Sequence, residues 1–484
     1  MTSPAEHEHR ALTELAQPLL DSPPGLGAWA QCEDAQHDLA LASESLRPFD
    51  SHRYVRECRA SFPRQLGAKR GHRVTAAADE TLQTANVPSR ALIISVLGVT
   101  QIFAWGSTYY LLAVLTKPIV ADTGWSLSWV VAGVSLGLLI AGVVSPWIGR
   151  FIACCGGRPV LAVSAGLFAI GLSALALSQS LSIYLAAWLV IGLGMGAGLY
   201  DPAFATLGRL YGLGGRSAIT TLTLFGGFAS TVCWPLSAFL DALLGWRGAC
   251  LVYAGFQIAV ALPAYLFALP REPQRPAALS APSTPAEPTQ APSDSPRSVL
   301  FLLLAVTITL SSVISATLSV HLLTVLQGKG LSLAGAVGLG ALVGPCQVAA
   351  RTVEMAFAGR HHPVWTHIAS VVLVVAGVGA LWIGAPLIAF AMTLYGAGIG
   401  LESIARGAMP LAIFGQDRYP IIMGRIAMPS LIAQAAAPFI GSILLEATGL
   451  NGAMTVIVAA ATINTLLATG LLLMLRSLRL NRTP

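Results

Sequence analysis

The chain has 484 residues, 55% of them hydrophobic and only 10% charged, against about 25% charged in an ordinary soluble domain. With a mean hydropathy of +0.70, this composition excludes a soluble enzyme, a nucleic-acid binder and a secreted protein, and leaves a polytopic membrane protein. The net charge of +6 is a topology signal, because Lys and Arg of such chains gather in cytosolic loops.

Residues 1–90 hold 12 of the 22 acidic and 10 of the 28 basic residues and show neither helical nor strand periodicity. Within them Arg53, Arg56, Arg59, Arg64, Lys69, Arg70 and Arg73 face a single Glu57. That pattern predicts a disordered cytosolic tail, with contact to anionic lipid headgroups as its functional alternative. No methionine follows Met1 until Met195, so an over-extended start, with translation from a non-Met codon near Val87, is a second reading of the same segment.

Apolar runs follow at roughly 91–115, 127–149, 158–177, 182–208, 217–240 and 248–269, close to the roughly 20 residues that one bilayer crossing needs. Residues 270–298 are rich in Pro, Ala and Ser and predict an extended cytosolic linker. Six more runs occupy about 299–326, 331–356, 364–383, 386–412, 421–445 and 453–475. The domain plan is therefore a tail over 1–90, a six-helix half over 91–269, the linker, a second six-helix half over 299–478, and a short cytosolic C-terminus over 479–484. No apolar run lies early enough for a cleavable signal. Seven cysteines without periodic spacing do not make a disulfide framework.

Orientation follows from the loops. With the N-terminus inside, thirteen arginines fall on the cytosolic side, among them Arg150, Arg158, Arg209, Arg216, Arg360, Arg418, Arg425 and Arg476. Three basic residues, Lys117, Arg247 and Lys329, fall on the other. One missed helix in the middle would scramble this alternation, so the charge pattern supports the span count independently.

The connection between the second and third spans reads GRFIACCGGRPVL, Gly149 to Leu161. It resembles the loop pattern G-x-L-A-D-R-x-G-R-K-x-x-L of the major facilitator superfamily, with Gly149, Phe151, Gly156, Arg158 and Leu161 in register. Ala153 stands at the acidic position and Cys154 at the basic one after it, so the acidic group that the resemblance implies as part of a cytosolic-side lock between the halves is absent here. The fourth span carries a glycine ladder, Gly192, Gly194, Gly196 and Gly198, similar to the family's and suited to close helix approach, but Trp188 replaces the arginine that usually precedes it. Gly226, Gly227 and Pro235 do not reproduce the drug-antiporter pattern, while GWR at Gly245 to Arg247 is similar to a common junction. GVTQ at Gly98 to Gln101, Tyr109, Tyr110 and GPCQVAAR at Gly344 to Arg351 resemble a bacterial branch that includes arsenical exporters. The resemblance implies an all-α membrane protein with twelve transmembrane helices in two pseudo-symmetric six-helix bundles, in a bacterial inner membrane with both termini cytosolic.

An ionisable side chain inside a span is a functional candidate because its burial costs several kcal/mol. Five stand out: Asp201, Arg351, Glu354, Glu402 and Arg406. Counted from the helix ends, all five fall in the cytosolic half of the bilayer, so they are expected to meet in one layer. Gln347, Arg351 and Glu354 share one helical face, as do Tyr395, Glu402 and Arg406. In one reading Arg351 or Arg406 engages an anionic substrate or holds a carboxylate ionised, while Asp201 or Glu402 exchanges a proton. In the other, Glu402 and Arg406 form an intrahelical pair at the favourable i, i+4 spacing and Glu354 simply faces the cytosol.

Gln101, Trp105 and Tyr109 recur every four residues of the first span and either line a solute cavity or anchor and pack the helix. Ser312, Ser315 and Ser319 line one face of the seventh span, with the same two readings. Adjacent Cys154 and Cys155 lack a third thiol nearby, and His361 and His362 beside Arg360 add loop charge. There is no Walker loop, no nucleophile with a placed base and no zinc spacing, so neither an enzyme nor an ATP-driven pump is expected, and no cofactor. The expectation is a secondary active transporter of a small solute, proton-coupled and monomeric, with no nucleic-acid partner. An exporter of drugs or toxic metalloids and a non-transporting sensor are the alternatives.

Overall fold

The computed structural model describes residues 89–271, 295–357, 360–384 and 386–480. Nearly all of the expected tail, most of the linker and the last four residues lie outside the described residues. Ten continuous helical stretches are long and apolar enough to cross a membrane, but two of them, Gly215–Ala268 and Tyr419–Leu478, run to 54 and 60 residues. That is about twice the length a bilayer requires. Each contains one non-helical glycine, Gly245 with φ 71° and Gly449 with φ 67°. A side chain with a Cβ is disfavoured at such angles, and the helix is broken there, so each stretch is two helices and the described residues hold twelve spanning helices.

In chain order α1 is Arg90–Gly106 and Leu111–Thr123, α2 Leu127–Cys155, α3 Gly157–Ala176, and α4 Leu181–Gly198 and Tyr200–Tyr211. Helix α5 starts as Gly215–Gly227 and continues over 229–244, and α6 runs from 246 through a π-helical turn, Gln257–Ala261, into Leu262–Ala268. The second half comprises α7 Ser295–Gly328, α8 Leu333–Gly340 and Val343–Phe357, α9 Pro363–Ile383, α10 Ile388–Phe414, α11 over 419–448 and α12 over 450–480. The expected spans are all present. The first is longer than expected, reaching Thr123, because the helix breaks over 107–110 and resumes.

Two apolar clusters are built mainly from α1–α6, around Trp188 and Tyr184 and around Phe204 and Leu161. Two others come from α7–α12 alone, around Met392 and Tyr395 and around Met409 and Ile426. Each half thus carries its own core. Large apolar side chains such as Phe151, Ile170, Phe239 and Phe439 remain more than half exposed, as helices facing lipid require. Because consecutive helices alternate in direction, the connections after α2, α4, α8 and α10 lie at one end, together with Arg150, Arg158, Arg209, Arg216, Arg360 and Arg418. This is the basic end of the bundle.

Candidate functional site

The site begins with a break in α4. Leu199 leaves the helix for an extended conformation (φ −81°, ψ −160°) and helix resumes at Tyr200. Gln101 on α1 reaches the break and donates through Nε2 to the freed Gly198 carbonyl at 2.6 Å. Asp201 thereby falls in the first turn of a half-helix, where unpaired N–H groups and the helix dipole favour a carboxylate.

That carboxylate is gripped from the other half of the molecule. Arg406 on α10 donates through Nε to Asp201 Oδ1 at 2.9 Å and through Nη2 to Oδ2 at 2.8 Å, with the two side chains 13% and 14% exposed. The Arg406 Nη1 group donates to Ser430 Oγ on α11 at 2.8 Å and to Ser312 Oγ on α7 at 3.3 Å. A two-point pair of this kind fixes geometry as well as charge.

A second ion pair lies nearer the basic end. Arg216 at the start of α5 donates to Glu354 Oε1 on α8 at 2.9 Å and also to the His361 carbonyl. Thr366 on α9 donates to the same Glu354 oxygen at 2.8 Å, and His361 Nε2 stands 3.3 Å from it. Gln416, after α10, donates to the Arg209 carbonyl at 2.7 Å. Between α2 and α11 the backbones touch: a Cβ on Gly149 would stand 2.4 Å from the Pro420 carbonyl, and one on Gly424 2.4 Å from that of Ser145. Among the described residues, the hydrogen bonds between the halves run from α4 and α5 to α8, α9, α10 and their connections. The halves are clamped toward the basic end.

Glu402 does not pair with Arg406. Its Oε2 receives a bond from Ser370 Oγ at 3.1 Å and lies 3.2 Å from His367 Nδ1, both on α9. Arg406 is drawn instead to Asp201, because a carboxylate facing it squarely across the interface offers two bonds where an i−4 neighbour on the same helix offers none here. Glu354 does not face solvent either; it is 7% exposed and held by Arg216. The five ionisable residues therefore form separate contacts and not a single cluster. Arg351 bonds only neutral acceptors, the carbonyls of Thr223 at 2.8 Å and Gly400 at 3.2 Å and Gln347 Oε1 at 3.3 Å.

The break over 107–110 takes Tyr109 off the four-residue register of Gln101 and Trp105. Trp105 packs edge-on to Tyr109 at 5.5 Å between centroids and lies 5.0 Å from Tyr200 and 6.2 Å from Tyr110. Gln101 itself is fully buried as a brace for α4. Of the loop residues, Gly149 provides the α2–α11 contact, Gly156 forms the turn into α3, and Arg158 donates to the Leu266 carbonyl within the first half. The thiols of Cys154 and Cys155 approach to 2.8 Å, and among the described residues no group of three metal-binding side chains occurs. Sequence reasoning missed Arg216, which it counted as loop charge, and His367, whose imidazole in an apolar span was the available signal.

The sequence model of the Major Facilitator Superfamily matches residues 97–360. No curated protein matches the chain. Among solved structures, the human organic anion transporter MFSD10 (TETRAN) superposes with a TM-score of 0.63 at 15% identity, covering 79% of this chain and 100% of that one. The fucose:proton symporter FucP of E. coli superposes with a TM-score of 0.59 at 13% identity over 79% of this chain and 99% of that one. A structure of FucP in the outward conformation gives a TM-score of 0.60 at 14% identity over 78% and 98%. Likeness at these identities is one of fold.

Proposed function

The chain belongs to the Major Facilitator Superfamily, and from that premise we propose that it is a secondary active transporter that moves a small solute by alternating access, coupled to protons. The carrying observation is the Asp201–Arg406 pair, which joins the two halves at the break in α4. A proton on Asp201 removes the negative charge and leaves Arg406 with two serine hydroxyls and a neutral acid. Protonation therefore weakens closure at the basic end, which is the link between proton and conformation that coupling requires. Proton use by FucP and transport by MFSD10, as their descriptions give them, support a transport reading and leave the solute open.

The test is reconstitution of the purified protein into vesicles with a pH-sensitive dye inside. An imposed proton gradient is expected to drive accumulation of at least one solute of a broad panel, and solute addition to move protons. A panel with no gradient-driven accumulation in either vesicle orientation would overturn the reading.

The membrane proposed is a bacterial inner membrane, with the basic end in the cytosol. Reporter fusions after Arg158, Arg216, Ser283 and Arg479 should all report the cytosol. A periplasmic signal from Ser283 would break the arrangement of two halves joined by a cytosolic linker.

A further inference from the structure

Arg351 is the one fully buried arginine among the described residues, at 5% exposure, and no carboxylate answers its charge. The acids around it are engaged elsewhere: Asp201 by Arg406, Glu354 by Arg216, and Glu402 by His367 and Ser370. Its three bonds to neutral acceptors use one N–H of Nε, one of Nη1 and one of Nη2. A guanidinium carries five N–H groups, so one remains on each terminal nitrogen. A buried charge without a partner is unfavourable, and two unused donors on such a charge suit a carboxylate.

The surroundings define what the carboxylate is attached to. Two consecutive glycines of α5 sit against this group: a Cβ on Gly227 would lie 2.4 Å from Arg351 Nη1, and one on Gly226 would lie 1.9 Å from Tyr200 Oη. Because the two glycines are adjacent, the Tyr200 hydroxyl and the Arg351 guanidinium lie on neighbouring positions of the same α5 surface. Trp105 lies against the rings of Tyr110 and Tyr200, and its Nε1 donor is buried without a partner. Flat aromatic faces thus stand beside an unanswered cation.

We propose that Arg351 is the anion anchor of the solute site, and that the solute is a small organic monocarboxylate with an aromatic or other flat apolar body. Its carboxylate is held by the two remaining N–H groups of Arg351 and its body lies against Trp105, Tyr110 and Tyr200. A dianion is disfavoured because the neighbouring cations Arg406 and Arg216 already hold carboxylates, and a cation is repelled. The inference rests on the transporter reading above and specifies its substrate class.

Equilibrium binding to the full-length protein in detergent tests it with three probes of nearly equal shape: phenylacetate, phenylacetamide and phenethylammonium. The wild-type protein is expected to bind phenylacetate at least tenfold more tightly than either of the others. Arg351→Gln should lose that preference, and Arg351→Lys should recover part of it, because a point charge keeps attraction without the two-point geometry. Equal binding of the three probes, preference for the amine, or no binding of phenylacetate by the wild type would each overturn the assignment, and none of these outcomes depends on a variant folding. Binding of phenylacetate without gradient-driven movement in vesicles would leave the anchor standing and count against transport. Gradient-driven movement of neutral solutes by a protein that does not discriminate the probes would uphold transport and reject the anchor.

Discussion

Asp201→Asn is expected to abolish gradient-driven accumulation while leaving equilibrium exchange of solute across the vesicle membrane. The amide resembles the protonated acid and so fixes one state of the coupling site. It also leaves Arg406 with one side-chain acceptor from Asn and the hydroxyls of Ser430 and Ser312. Removing one member of a truly buried ion pair costs roughly 3 to 5 kcal/mol, and here, with the side chains 13% and 14% exposed, the lower part of that range applies. The loss falls on the state clamped at the basic end, and each 1.4 kcal/mol or so shifts that balance about tenfold. A cysteine placed at Ser145, which lines the crevice beneath Asp201, should therefore become more reactive to a thiol reagent applied from the basic side. Adding Arg406→Gln should restore thermal stability without restoring accumulation. Normal accumulation by Asp201→Asn alone would reject the coupling role.

Much of the fold was legible because span length, loop charge and the Pro-rich interruption at 270–298 each point to the same count of twelve helices. Gly245 and Gly449 sit between runs whose length already required a turn. The candidate site was only half legible, for a physical reason. Helical periodicity shows which residues share a face of one helix, so it could pair Glu402 with Arg406, but it carries no information on what a different helix brings to that face. The partner that prevailed, Asp201, is 205 positions away. Arg216 was hidden by the opposite effect: at the mouth of a basic loop its charge already had an explanation, and only the packing of α5 against α8 gives it Glu354. The break at Leu199 was also unpredicted, although the glycine ladder before it is where a helix most readily yields. His367, buried beside Glu402, belongs to one half alone, and its contacts do not cross the interface.

The outer pair, Arg216 with Glu354, should behave as a second layer of the same closure. Arg216→Gln leaves Glu354, whose side chain is 9% exposed, with only Thr366 and His361, so a loss on the order of 3 kcal/mol is expected for an acid this deeply buried. Glu354→Gln leaves Arg216 its bond to the His361 carbonyl and should cost less. The double variant, in which two amides replace two charges, should be more stable than Arg216→Gln alone, giving a coupling energy within the roughly 0.5 to 3 kcal/mol seen for residues in one network. Combination with Asp201→Asn separates a shared closure from two unrelated contacts. If both pairs hold the same two-state clamp, breaking the outer pair after the inner one should lower thermal stability further but add nothing to the accumulation defect or to labelling at Ser145→Cys, because the clamp is already open. Labelling that rises by independent factors for the two changes would mean that the layers open separately, and would reject a single rocking motion of the two halves.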